Sequence, residues 1–84
     1  MNEYPEWWDW ELSFTDHAKL RLELRDLTEL DVRAMLQRAS NAEPDPIEWR
    51  FQIPVRYRRR SWIIVVEPDE MFELLVIVTL YEEK

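Results

Sequence analysis

The stretch Trp62-Ile-Ile-Val-Val-Glu-Pro-Asp-Glu-Met-Phe-Glu-Leu-Leu-Val-Ile-Val-Thr-Leu-Tyr81 decides the fold. It holds two β-rich runs, Trp62–Val66 and Leu74–Tyr81, with turn chemistry at Pro68-Asp69-Glu70 between them. Two such runs across a short turn predict an antiparallel hairpin. Upstream, Trp49, Phe51 and Ile53 alternate with Arg50 and Gln52, the period-two pattern of a half-buried strand. Pro54 calls for a break, an edge position or a bulge, and Val55–Arg58 continues the pairing.

Ahead of the strands lie two helix signals. Ser13-Phe-Thr-Asp16 offers a capping side chain followed by an acid, with Thr15 as a second candidate cap. The helix after it places Leu20, Leu24 and Leu27 at i, i+4 and i+7, read as one apolar stripe. Thr28-Glu-Leu-Asp31 is a partial capping box, and Val32, Met35, Leu36 and Ala39 form the stripe of a second helix. Ser40–Pro46 reads as a loop. The expected fold class is α+β: two N-terminal helices packed on one face of a three- to four-stranded antiparallel sheet. Residues 1–84 read as one domain: an acidic Trp-rich arm or short strand over 1–12, the helices over 13–39 and the sheet over 47–81.

The chain of 84 residues has no Cys, no Gly and one His. That excludes a disulfide scaffold, a thiolate nucleophile, a Cys-based zinc site and Gly-rich phosphate loops. No spacing of ligands points to a metal, and no cofactor is expected. No apolar run reaches the length of a membrane span, and the acidic start lacks the pattern of a signal peptide. A cytoplasmic location without membrane association follows as the expectation. Five Trp strain the capacity of so small a core and leave a homodimer open.

The net charge is -7, yet Arg50, Arg56, Arg58, Arg59 and Arg60 form a basic island within the acidic chain. Three groups of residues could carry chemistry. His17, Arg21 and Arg25 recur every four residues and would line one side of the first helix. An imidazole can move a proton near neutrality, and guanidinium groups bind and stabilise a phosphate. The plain alternative is a solvated helix face in which Glu23 and Asp26 pair with the arginines. Arg50 and Gln52 share a face of the first strand. Arg56, Arg58 and Arg60 share a parity if the next strand runs unbroken, with Tyr57 between them. Such an array suits RNA, whose bases stack on aromatic and guanidinium planes, and it equally suits a charged edge strand. Thr79 and Tyr81 alternate to one face of the last strand; the hydroxyls could reach a phosphate or simply serve the sheet.

Taken together, His17-Ala-Lys-Leu-Arg21-Leu-Glu-Leu-Arg25, Asp31-Val-Arg-Ala-Met-Leu36, Trp49-Arg50, Trp62-Ile-Ile-Val-Val-Glu-Pro-Asp69 and Leu74-Leu-Val-Ile-Val-Thr-Leu-Tyr81 resemble a family of small bacterial domains of unknown function. The likeness runs from about Trp8 to Tyr81. It implies a fold similar to the barnase–EndoU–colicin–RelE group of ribonucleases, many of them toxins of toxin–antitoxin or phage-related systems that cut RNA without metal. By position, His17 would be the acid or base, Arg21 and Arg25 would hold the phosphate, and Thr79 and Tyr81 would line the site. Arg50 and Arg56, with Tyr57 and Arg58 beside them, would hold the RNA backbone, and a cognate antitoxin would be the protein partner. The chain departs from the family pattern at Asp26, and at Arg59 or Arg60, where relatives carry Gly, and at Tyr57, where they often carry His. The function these features imply is a metal-independent endoribonuclease; the alternative is an RNA- or protein-binding regulatory module without catalysis.

Overall fold

The structure, a computed structural model, describes residues 5–84. A 3₁₀ turn (Glu6–Asp9) leads into strand β1 (Glu11–Phe14), helix α1 (Asp16–Leu24) and helix α2 (Glu29–Arg38). Strands β2 (Glu43–Pro44), β3 (Phe51–Tyr57), β4 (Arg60–Asp69) and β5 (Leu74–Glu82) follow. They form one five-stranded sheet of order β1-β5-β4-β3-β2. The decisive hairpin is present: β4 and β5 pair antiparallel from Trp62 opposite Glu82 to Asp69 opposite Leu74, with a bulge between Val65 and Val66. A second hairpin joins β3 to β4, from Phe51 opposite Val66 to Tyr57 opposite Arg60.

The sheet corrects the expectation of three or four antiparallel strands. It has five, and it is mixed, because β1 pairs parallel with β5 through Glu11–Leu74 to Phe14–Ile77. Without β1, the apolar strand β5 would be an edge; the added strand covers it and brings the half-buried Leu12 and Phe14 onto the core. The Trp-rich lead therefore resolves into a 3₁₀ turn followed by a strand, and Trp7 and Trp8 are core residues. β2 lies inside the segment read as loop. Its two residues, opposite Gln52 and Phe51, are too few to carry a period. Beyond them the outer side of β3 is unpaired among the described residues, which is the edge position that Pro54 tolerates.

Alternation along β3 and β4 sends Ile53, Val55, Trp62, Ile64 and Val66 into one core cluster with Leu75, Ile77 and Leu80 of β5. Val32, Met35 and Leu36 of α2 join it as the sequence pattern requires. The stripe of α1 is different from the one expected. Ala18 and Leu22 are buried, with Leu27 beyond the helix, whereas Leu20 and Leu24 are exposed, Leu24 to 68 %. Both stripes have helical spacing; the buried one leaves Arg21 half-covered while Arg25 stays exposed.

Local capping follows the sequence closely. Thr15, not Ser13, caps α1: its hydroxyl accepts from the Ala18 N–H at 3.0 Å and donates to the Val78 carbonyl at 2.8 Å. The box at α2 is complete. The Asp31 N–H donates to the Thr28 hydroxyl, and the Asp31 carboxylate accepts from the Thr28 N–H. In a chain without glycine, five of the described residues adopt left-handed φ: Asp26 (58°), Trp49 (73°), Arg58 (53°), Arg59 (66°) and Glu73 (52°). Each pays the Cβ–carbonyl crowding that glycine avoids, on the order of 1–2 kcal/mol.

Candidate functional site

α1 runs alongside β5. At its start, the Thr15 N–H donates to the Ile77 carbonyl, and just past its end an Arg25 Nη1 lies 3.7 Å from Glu82 Oε1. The His17–Arg21–Arg25 stripe is thus held between these two anchors. His17 is exposed. Arg21 is half-buried, and its Nε is buried without a hydrogen-bond partner. Thr79 and Tyr81 share a face of β5, set by their register with Val65 and Ile63. The Thr79 hydroxyl oxygen is the second buried polar side-chain atom without a partner among the described residues. No hydrogen bond or ion pair joins His17 or Arg21 to Thr79 or Tyr81 among the described residues.

The strand arginines separate into two places. The two-residue turn Arg58-Arg59 ends β3, so Arg56, Arg58 and Arg60 do not share the parity of one unbroken strand. Arg56 donates to the Ser61 hydroxyl and the Arg59 carbonyl, at the turn end. Arg50 precedes β3 at its far end, where its Nε donates to Glu67 Oε1 at 3.0 Å. Six residue steps of strand, roughly 20 Å, separate Arg50 from Arg56.

Near the turn, three arginines from separate segments converge. Arg25, Arg58 and Arg60 line a groove of about 390 Å³ together with Leu24, Leu27 and Trp62. The Glu82 carboxylate lies within 3.7 Å of Arg25 and 3.3 Å of Arg60. Arg58 is fixed from the other side: its guanidinium donates to Asp31 at 3.1 Å and to the Asp26 carbonyl at 3.3 Å. The indole N–H of Trp62 donates to the Tyr57 carbonyl and ties the hairpin to this corner. Glu82 does not stand out in the sequence as a site residue, and Arg60 reads there only as a member of the strand array with Arg56 and Arg58, not as a neighbour of Arg25. The signal that could have found them is the tight turn, which sets Arg60 across from Tyr57 and brings β4 back beside the end of α1.

Tyr57 does not face this groove as a free base-stacking ring. Its hydroxyl donates to Asp31 Oδ1 at 2.7 Å, and the guanidinium carbons of Arg38 and Arg58 each lie 5.4 Å from the ring centroid. The hydrogen bond from Tyr57, and next those from Thr28, hold the Asp31 carboxyl below its ordinary range; the same bond to the carboxylate pushes the Tyr57 phenol up. Asp45 is held low as well, by the Gln52 amide and then the Ile47 N–H.

A second, larger groove of about 600 Å³ lies at the opposite end of the β3–β4 ladder. Trp7, Trp49, Phe51 and Val76 give it apolar walls, and Glu67, Asp69 and Glu70 surround it. Among the described residues, no group of three His, Asp or Glu side chains could hold a metal ion, and no helix is long and apolar enough to cross a membrane. No protein-family model matches the chain, and no curated protein or solved structure does either.

Proposed function

We propose that this chain is a small RNA-directed domain of the metal-independent endoribonuclease kind, in the toxin class that the sequence resemblance implies. The observation that carries it is the convergence of Arg25, Arg58 and Arg60 on one groove beside Trp62. Guanidinium groups fixed by their own partners form a preorganised seat for a phosphodiester backbone. Both helices would stand on one face of the sheet, an arrangement supported by their shared core cluster.

Cleavage would take place along the α1–β5 seam. The two buried polar side-chain atoms left without a hydrogen-bond partner among the described residues, Arg21 Nε and Thr79 Oγ1, lie on these elements. His17 removes the proton of the ribose 2′-hydroxyl, whose oxygen attacks the adjacent phosphorus. Arg21 and Arg25 stabilise the charge on the pentavalent phosphate. The bond to the 5′ oxygen breaks, and that oxygen takes a proton from the Tyr81 phenol. The products are a 2′,3′-cyclic phosphate and a 5′-hydroxyl end, and solvent resets both protons. DNA, lacking the 2′-hydroxyl, is not cut.

A second reading, RNA binding without cleavage in a regulatory module, is favoured by Glu82. Its carboxylate already takes the place of an anion between Arg25 and Arg60. The test is cleavage of mixed RNA by purified protein in EDTA, with His17→Ala and Arg58→Ala beside it. Cleavage lost in His17→Ala with binding retained supports the first reading. Salt-sensitive binding that needs Arg58 but yields no product supports the second. Neither cleavage nor binding overturns both.

A further inference from the structure

The groove at the acidic end of the sheet is lined by aromatic rings and carboxylates, and its geometry is held open by the chain itself. The segment between β2 and β3 is a closed turn. The Asp45 N–H donates to the Arg50 carbonyl at 3.0 Å, the Arg50 N–H donates to the Ile47 carbonyl at 3.2 Å, and Asp45 also accepts from Ile47 N–H and Gln52. This turn holds Trp49 at φ 73°, a conformation unfavourable for a bulky residue, with the residue 76 % exposed. A large apolar ring kept in strained backbone and out of the core is a feature that burial does not explain. Below it, Trp7 packs on Phe51 with ring centroids 5.1 Å apart, which fixes the floor. The opposite rim is the β4–β5 turn. There Asp69 accepts from the N–H groups of Met71 and Phe72, and Glu70 is exposed with no ion pair among the described residues.

The electrostatics select the occupant. Of the three carboxylates lining the groove, Glu67 forms an ion pair, with Arg50, and among the described residues Asp69 and Glu70 form none. Asp69 and Glu70 are left as net negative charge beside exposed Trp49. A ring face flanked by unpaired carboxylates attracts a cation that also has apolar area, which is the character of an arginine or lysine side chain. We propose that this groove is a docking site for an arginine- or lysine-bearing segment of a partner protein. The cationic side chain lies against Trp49 and Phe51, and its charge meets Asp69 and Glu70. The site lies across the sheet from the Arg25–Arg58–Arg60 groove, about 20 Å along the β3–β4 ladder, so it is independent of the RNA reading.

The test uses two peptides, Ac-Ala-Arg-Ala-Arg-Ala-amide and its glutamate counterpart, titrated at 0.15 M salt into ¹⁵N-labelled full-length chain. The indole N–H signals of the five Trp are followed. The expected result is saturable movement of the Trp49 and Trp7 signals with the arginine peptide alone. Affinity falls tenfold or more in Trp49→Ala and in Glu70→Lys, and returns in Trp49→Phe. Non-saturating movement spread over the whole acidic surface overturns the proposal, and so does undiminished affinity in Trp49→Ala with an otherwise unchanged spectrum. Sedimentation of the protein alone supplies a further arm: a dimer dissolved by Arg59→Glu would mean that the basic turn of a second copy fills the groove, which also overturns it.

Discussion

The Tyr57 hydroxyl donates to Asp31 Oδ1 at 2.7 Å, joining the last residue of β3 to the first turn of α2. The same carboxylate completes the α2 capping box, so one side chain closes a helix end and anchors a hairpin. Tyr57→Phe removes one arm of this junction and is expected to destabilise the protein by about 1 kcal/mol in urea unfolding. The pH dependence has a definite sign at both ends. Asp31 titrates below its ordinary range when folded, so its contribution is present above the unfolded carboxyl value and is lost as pH falls through the folded one. Tyr57 titrates above its ordinary value of about 10, so its contribution is whole below that pH and is lost as pH rises further. Tyr57→Phe flattens the loss of stability on the alkaline side and weakens it on the acid side. An unchanged profile on both sides would contradict the role of this bond.

The turn Arg58-Arg59 has left-handed φ at both positions, the geometry of a two-residue hairpin that favours glycine. Arg58 is engaged with Asp31 and Asp26, but among the described residues the Arg59 side chain has no hydrogen bond or ion pair, although its carbonyl accepts from Arg56. Arg59→Gly is expected to stabilise by about 0.5–1 kcal/mol, a rise of roughly 2–8 °C in the thermal midpoint by calorimetry. Arg59→Ala, which keeps the Cβ, should not reproduce that gain.

Thr79 combines a buried, unpaired hydroxyl with a place in the proposed cleavage seam. Thr79→Val keeps the shape and removes the unpaired oxygen. Stability should rise by about 1 kcal/mol while RNA cleavage falls, the opposite movement expected of a site residue held at a structural cost. Parallel denaturation and gel assays check this, and a loss of stability would show that the hydroxyl serves the fold.

The two leucine stripes of α1 give a sharp contrast. Leu22→Ala should cost about 2–5 kcal/mol, because Leu22 sits in the core cluster. Leu20→Ala, on the exposed side, should change stability by no more than about 0.5 kcal/mol. Equal effects at the two positions in guanidinium unfolding would contradict the orientation of α1.

What could be read from the sequence was whatever is encoded between near neighbours. The β4–β5 hairpin, the alternation of β3 from Phe51 onward, the α2 stripe and the Thr28–Asp31 box all depend on spacings of a few residues, and all are present; Trp49, read as the first half-buried residue of that alternation, instead lies in the turn before β3 at φ 73° and is exposed. The parallel pairing of β1 with β5 joins residues far apart in the chain, and four residues of β1 carry too little period to announce it. The α1 stripe went the other way because Ala18 and Leu22 satisfy helical spacing as well as Leu20 and Leu24 do, and only the neighbouring strand selects between them. Of the site, the arginine groove is where sequence reading fell short. Arg25, Arg58 and Arg60 were legible as basic residues, but their convergence on one groove depends on a turn without glycine that no glycine-based signal could reveal.

The parallel contact between β1 and β5 has a consequence for synthesis on the ribosome. Glu11 must wait for Leu74, which is added 63 residues later. At about 5–20 residues per second, the β1 strand and its aromatic lead spend roughly 3–12 seconds without their partner. Throughout that interval Trp7, Trp8, Leu12 and Phe14 have no β5 to cover, so the nascent chain presents its stickiest segment before the strand that buries it exists.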